Sequence, residues 1–232
     1  MDLPLYLMAI LAMIFSIWAQ FKVKSTFNQY SRVYTRSGRT AAQVADMILN
    51  RAGIYNVRIE RVRGSLTDHF DPRTNTLRLS DSVYDSTSAA AIGVAAHEAG
   101  HAIQHAVGYT PIKIRSSLVP AASFASRFTW ILIMLGILMM SMADTQLGYM
   151  VMLSGVALFA VVTLFELVTL PCEFNASRRA MEALESSGWY GSDELSSSRK
   201  VLTAAALTYV AALAVSLIQL LRLISRLNGR RR

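Results

Sequence analysis

Ala89-Ala90-Ala91-Ile92-Gly93-Val94-Ala95-Ala96-His97-Glu98-Ala99-Gly100-His101-Ala102-Ile103-Gln104-His105-Ala106-Val107 is the stretch from which the rest of the chain is best read. Alanine carries the highest helix propensity, so this run predicts a helix. On a helix, residues four apart lie one above the other, and His97 and His101 hold that spacing. Both imidazoles can then reach one Zn²⁺ at about 2.0 to 2.1 Å. Glu98 sits beside them, placed to take a proton from a zinc-activated water as that water attacks a carbonyl. With 4 His in 232 residues, composition alone would produce this pattern about 0.002 times, so chance is a poor account of it.

A catalytic zinc takes a third protein ligand and keeps one position open for water. His105 continues the histidine stripe, but it stands about 12 Å from His97 along the axis at about 1.5 Å per residue, too far to share one ion. It is expected to pack outside the ligand set. A longer zinc-protease motif would need Gly at position 104 and His at position 107; Gln104 and Val107 stand there, which excludes that subclass. Glu173, in Leu170-Pro171-Cys172-Glu173-Phe174-Asn175-Ala176-Ser177-Arg178-Arg179-Ala180, is the better candidate. Pro171 suits a first helical turn, so a second helix is expected to open here with Glu173 near its start. Glu166 precedes it by two turns, at the end of an apolar run, and is expected at most to support the site. Asp68 and His69, in a loop, are the remaining titratable pair that could approach the metal. Arg178 and Arg179 could stabilise an oxyanion, but neutralising lipid phosphates explains them better.

The composition around these motifs is not that of a soluble domain. Hydrophobic residues make up 53% and charged residues 16%, against about 25% charged in a typical soluble chain. Disorder is excluded by the same figures, and the single cysteine, Cys172, excludes an intramolecular disulfide framework and a Cys-based zinc ribbon. Four uncharged runs stand out: Leu3–Phe21 (19 residues), Phe128–Ala143 (16), Thr145–Phe165 (21) and Val201–Leu221 (21). A hydrocarbon core takes roughly 17 to 25 helical residues. The first run lacks the basic start of a secretory signal and is expected to stay as an anchor. Lys22, Lys24, Arg32, Arg36 and Arg39 follow it, which places residues 22–127 in the cytoplasm by the positive-inside bias. Runs two and three meet at Ala143-Asp144-Thr145, a turn expected outside. The fourth run either spans, which hydropathy favours although its Arg-rich end then opposes the same bias, or is a buried helix packed on the cytoplasmic domain with that end against anionic lipid. The net charge of +8 thus belongs to membrane flanks. Nucleic-acid binding, which needs clustered bases with exposed aromatics, is not expected.

The polar region between the first two runs carries its own elements. Thr40 can cap a helix through Asn50 that Gly53 ends. Val57, Ile59 and Val62 alternate loosely with Arg58, Glu60 and Arg61 as a strand, and Leu77 and Leu79 mark a second strand over 76–80 after the turn residues 71–75. Residues 186–198 are rich in Ser and Gly and read as a loop. The strand at 76–80 is expected at the sheet edge beside the zinc helix, where an extended substrate could add to it.

Taken together, the His97-Glu98-Ala99-Gly100-His101 helix, the segment Asn-Thr-Leu-Arg-Leu-Ser at 75–80, the membrane hairpin and Leu170–Ser177 resemble the YugP-type membrane zinc metallopeptidases, with HtpX-type membrane proteases as more distant relatives. The resemblance covers nearly the whole chain. It implies His97, His101 and Glu173 as zinc ligands, one Zn²⁺ per chain, and Glu98 as general base and acid in peptide hydrolysis without a covalent intermediate. In the HtpX-like relatives an Asp four residues after the ligand Glu orients a zinc histidine; here Ser177 holds that position, and Asn175 or Ser177 is expected to supply a weaker hydrogen bond.

The resulting expectation is a mainly α chain with a small β element, a multi-span helical membrane protein carrying a zincin-like (gluzincin) catalytic domain at the cytoplasmic face. Its parts are an anchor at 1–21, the zincin-like part at 22–115, a membrane hairpin at 116–170, the second ligand helix and a loop at 171–200, and an apolar helix with a basic tail at 201–232. Expected partners are a polypeptide substrate of unfolded or membrane-protein type, the lipid bilayer, and an accessory membrane protein or a second copy of the chain. Two other classes remain. A non-catalytic membrane adaptor with a structural zinc would keep the ligands and tolerate Glu98→Gln. A transporter would have only Glu166 and Asp144 as ionisable groups in the bilayer, a thin pathway.

Overall fold

The computed structural model describes residues 3–142 and 146–228. In chain order the elements are α1 (Leu3–Tyr30), α2 (Ala41–Arg51), β1 (Arg58–Val62), β2 (His69–Asp71), β3 (Thr76–Ser80), α3 (Ala89–Ala106), α4 (Thr110–Met142), α5 (Gln146–Ser187) and α6 (Ser192–Asn228). The chain is therefore mainly helical with one small sheet. Among the described residues, α1, α4, α5 and α6 are long and apolar enough to cross a membrane. The turn expected at Ala143-Asp144-Thr145 lies outside the described residues.

The chain divides into two compact units. One holds the residues up to Trp18, Ile114–Thr169 and Tyr209 onward; the other holds Ala19–Lys113 and Leu170–Thr208. In the first unit, α4 and α5 approach through small residues. A Cβ on Gly136 would stand 2.5 Å from the Met152 nitrogen, and one on Gly155 would stand 2.8 Å from Ile133 Cγ1. Apolar helices gain no hydrophobic advantage from one another in lipid, so backbones that approach this closely gain through dispersion instead. Ile133, Met152, Val156 and Phe159 bury there with Leu223 and Leu227 of α6.

The second unit has a water-type core. Val44, Ile48 and Leu49 of α2, Leu77 and Leu79 of β3, and Ile92, Ala95, Ala96 and Ala99 of α3 bury together with Leu184, Val201 and Leu202. Helix α2 starts with a reciprocal capping box: Gln43 N–H donates to Thr40 Oγ1 at 3.3 Å, and Thr40 N–H donates to Gln43 Oε1 at 3.0 Å. Two orphan donors of the first turn are thereby satisfied. The helix is followed by Gly53 at φ +73, a conformation that glycine adopts without a Cβ penalty.

Four expectations are corrected here. The strand at 76–80 is not at the sheet edge. The strand order is β1-β3-β2, with β1 parallel and β2 antiparallel to β3, so β3 is central and both of its sides are paired. Its burial on both faces, with Thr76, Leu77, Leu79 and Ser80 all buried, agrees with that place. His69 lies in β2 rather than in a loop; three residues are too few to show alternation, and the partner Arg78 sets the register. The third correction concerns Pro171. No helix opens there, because α5 runs without a break from Gln146 to Ser187 with Pro171 inside it. Proline removes one i to i−4 bond, but the packed residues on either side keep the helix together. At 42 residues, α5 is roughly 63 Å long, about twice a hydrocarbon core, so only part of it can lie in lipid. Finally, the expected loop at 186–198 is short, with α6 resuming at Ser192 and led by Asp193 and Glu194, acids that suit a helix N-terminus.

A candidate metal centre

Helix α3 is built to present two histidines. Ser88 caps it, its hydroxyl accepting from the Ala91 N–H at 3.3 Å. Its small residues, Ala95, Ala96, Ala99 and Ala102, are buried in the core, which leaves His97 and His101 together on another side. The two rings lie 4.7 Å apart at 85°.

Glu173 comes to them from α5. Its Oε2 stands 3.2 Å from His97 Nε2 and 3.4 Å from His101 Nε2, and the residue is only 2% exposed. What permits this is Gly100. A Cβ there would sit 2.6 Å from the Ala176 carbonyl oxygen, a distance that real side chains do not tolerate. The missing side chain lets α3 and this turn of α5 touch backbone to backbone, and Glu173 lies one turn before Ala176.

One donor atom from each of His97, His101 and Glu173 falls within 4.8 Å of the others. Two neutral imidazoles and one carboxylate form the donor set of a borderline metal such as Zn²⁺. A divalent cation held by the three donors would balance the charge of this buried carboxylate. The residues present therefore fit the ion. Burial alone would lower the His101 pKa, but the hydrogen bond to Glu173 and the charges of Glu98 and Glu173 outweigh it and hold that pKa above its ordinary value.

The outer ends of both imidazoles are also engaged. His97 Nδ1 lies 3.1 Å from Ser177 Oγ, and His101 Nδ1 lies 3.0 Å from Gln104 Oε1. Of the expected supporting residues, Ser177 reaches a candidate ligand directly. Asn175 does so only through Gln104, whose Nε2 donates to Asn175 Oδ1 at 3.0 Å. His105 stacks against Phe70 of β2, ring centroids 5.5 Å apart, and is not one of the three grouped donors. Glu166 belongs to the other unit, where it is hydrogen-bonded to Ser216.

Glu98 is almost fully buried beside these residues, and its charge acts on both His101 and Asp68. Asp68 accepts from the Ser80 N–H at 2.7 Å and from the Ser80 hydroxyl at 2.9 Å. Burial, aided by Glu98, raises its pKa from the ordinary Asp value against those hydrogen bonds. His69 is exposed, with Nδ1 on the Thr67 carbonyl oxygen at 2.9 Å, and is not among the metal-binding group. Arg178 pairs with Glu182 on the helix surface, while Arg179 turns inward to Asn175. Gln104 and Gly100 were not singled out by the spacing argument. Gln104 lies at i+3 from His101, on the same helical face, and that spacing is the signal that could have found it.

The family described as "putative neutral zinc metallopeptidase" matches residues 5–228 of this chain. A curated relative, "Putative membrane protease YugP" of Bacillus subtilis (strain 168), is 46% identical over 224 residues, covering 96% of each chain. No solved structure matches.

Proposed function

The chain belongs to this "putative neutral zinc metallopeptidase" family, and from that premise we propose that it is a membrane-bound zinc endopeptidase that hydrolyses peptide bonds with an activated water. The observation that carries the reading is the convergence of His97, His101 and Glu173 within 4.8 Å, with Glu98 next in sequence to one of them. One Zn²⁺ per chain would be held by His97, His101 and Glu173.

Zinc bound there supplies Lewis acidity to a water molecule and to the scissile carbonyl. The remaining work belongs to the side chains. Glu98 takes a proton from the attacking water and later delivers it to the departing amine, so one carboxylate serves as base and then acid. Ser177 and Gln104 accept from the Nδ1–H groups of His97 and His101, which keeps each Nε2 lone pair directed inward. β2 is an edge strand whose Phe70 packs on His105 of the same helix α3. An extended polypeptide can add to that edge through backbone hydrogen bonds, a mode that reads main chain more than sequence. Unfolded and membrane polypeptides are the substrates that such binding suits, consistent with a role in membrane-protein quality control.

The active site faces the cytoplasm. Lys22, Lys24, Arg32, Arg36 and Arg39 follow the first apolar run and belong to the side that retains basic residues. The test is hydrolysis of casein by the purified, detergent-solubilised chain before and after chelation. Cleavage that a chelator abolishes and one equivalent of zinc restores is expected. Cleavage indifferent to the chelator would overturn the proposal.

A further inference from the structure

Gln104 is fully buried and bridges the two helices that build the metal centre. Its Nε2 donates to the Cys172 carbonyl oxygen at 2.7 Å and to Asn175 Oδ1 at 3.0 Å, while its Oε1 faces His101 Nδ1 at 3.0 Å. Amide groups have two orientations that electron density rarely separates, so the hydrogen-bond network must decide between them. Here it does, starting from Arg179. Arg179 Nε stands 2.8 Å from Asn175 Oδ1. A guanidinium only donates, so the Asn175 atom that meets it is the oxygen.

That oxygen and the Cys172 carbonyl oxygen are both acceptors, and both meet the same end of Gln104. The NH₂ of Gln104 must therefore point to α5, which turns its oxygen towards His101. An oxygen facing Nδ1 requires the proton on Nδ1. In the neutral imidazole that would bind a metal, Nε2 is then the nitrogen with the free lone pair, and it is the nitrogen on the Glu173 side, 3.4 Å from Oε2.

We propose that Arg179, Asn175 and Gln104 form a polar chain that fixes the tautomer and ring orientation of His101, making Gln104 and Arg179 positioning residues for the metal centre. The inference rests on the zinc reading above and deepens it. Reversing either amide would bring oxygen against oxygen, or NH₂ against NH, at two buried side chains. The chain is therefore self-consistent in one direction only, and that direction is set by Arg179 through Asn175.

The test uses the full-length protein in detergent and reads Co²⁺ binding by chelator competition, together with the visible d–d spectrum of the bound ion. Gln104→Met keeps the volume and removes the acceptor. Arg179→Met removes the donor from a partly exposed position, and Arg179→Lys keeps one. About ten- to hundred-fold weaker Co²⁺ binding and an altered spectrum are expected for both Met variants, the usual scale for losing a ligand's outer hydrogen bond. Arg179→Lys should recover most of the affinity and the spectrum. If Gln104→Met fails to fold, the Arg179 pair decides alone. Wild-type affinity and spectrum in Arg179→Met would overturn the positioning chain while leaving the metal centre standing. A wild-type chain that binds neither Co²⁺ nor Zn²⁺ would instead overturn the zinc reading itself.

Discussion

Gly100 and Ala176 meet so closely that a Cβ on Gly100 would stand 2.6 Å from the Ala176 carbonyl oxygen. The contact brings a histidine-bearing helix and a carboxylate-bearing helix together as backbones, with the histidines on one side of the junction and Glu173 one turn before it on the other. The convergence of His97, His101 and Glu173 depends on this contact.

Gly100→Ala is accordingly expected to force the two helices apart. The cost in stability is about 1 to 3 kcal/mol, the range for overpacking a tight site. Thermal unfolding of the chelated protein reads the stability, and zinc titration reads the site. Weaker zinc binding together with a lower melting temperature is expected; wild-type values for both would show that the close approach is not needed.

Ser177 lies against His97 Nδ1 at 3.1 Å. A neutral hydroxyl is a weaker acceptor than a carboxylate. Ser177→Ala is expected to weaken zinc binding about ten-fold, at the lower end of the range for outer-partner loss, and Ser177→Asp to strengthen it. Competition with a zinc indicator separates these outcomes, and the reverse order would contradict the role given to Ser177.

The raised pKa of His101 makes metal-free stability depend on pH. Burial opposes its charged form, but Glu173 and Glu98 outweigh that opposition. A histidine whose folded pKa lies above its unfolded value contributes stability that is fully present below the unfolded value, about 6.5, and lost as pH rises through the folded one. Chelated wild type should therefore lose its melting-temperature advantage over chelated His101→Gln as pH is raised above about 6.5. Zinc competes for the same nitrogen, so zinc affinity should rise with pH across that range. Parallel melting curves at every pH would contradict the assignment.

Tyr55 is 79% exposed in the same unit as the metal centre. With Cys172 replaced by Ser, a Tyr55→Cys variant gives a single reporter of sidedness. An impermeant thiol reagent is expected to label it in inside-out vesicles and not in right-side-out ones. The opposite pattern would place the site outside the cell.

The alanine-rich helix over 89–107 and the i, i+4 histidines were legible in the sequence because both are local properties of one element. Glu173 was legible as a residue beside a second motif, but the reason offered, a helix opening at Pro171, was mistaken: local rules treat proline as a boundary, whereas α5 continues through it. The position of β3 could not be read from its alternation, since pairing on both sides is decided by β1 and by the three-residue β2. Gln104 and Gly100 escaped for a related reason. Each acts across an interhelix contact spanning some seventy positions in the chain, and only the packed helices reveal it.

The most direct test of the account compares wild type with Glu98→Gln, a change that leaves His97, His101 and Glu173 in place. Zinc content and casein hydrolysis are measured on the same purified samples. About one zinc in each form, with hydrolysis in the wild type alone, is the predicted result, and the variant is expected to lose at least about 100-fold in rate, as befits removal of a general base. Undiminished hydrolysis by Glu98→Gln, or a wild type that carries no zinc, would contradict the account.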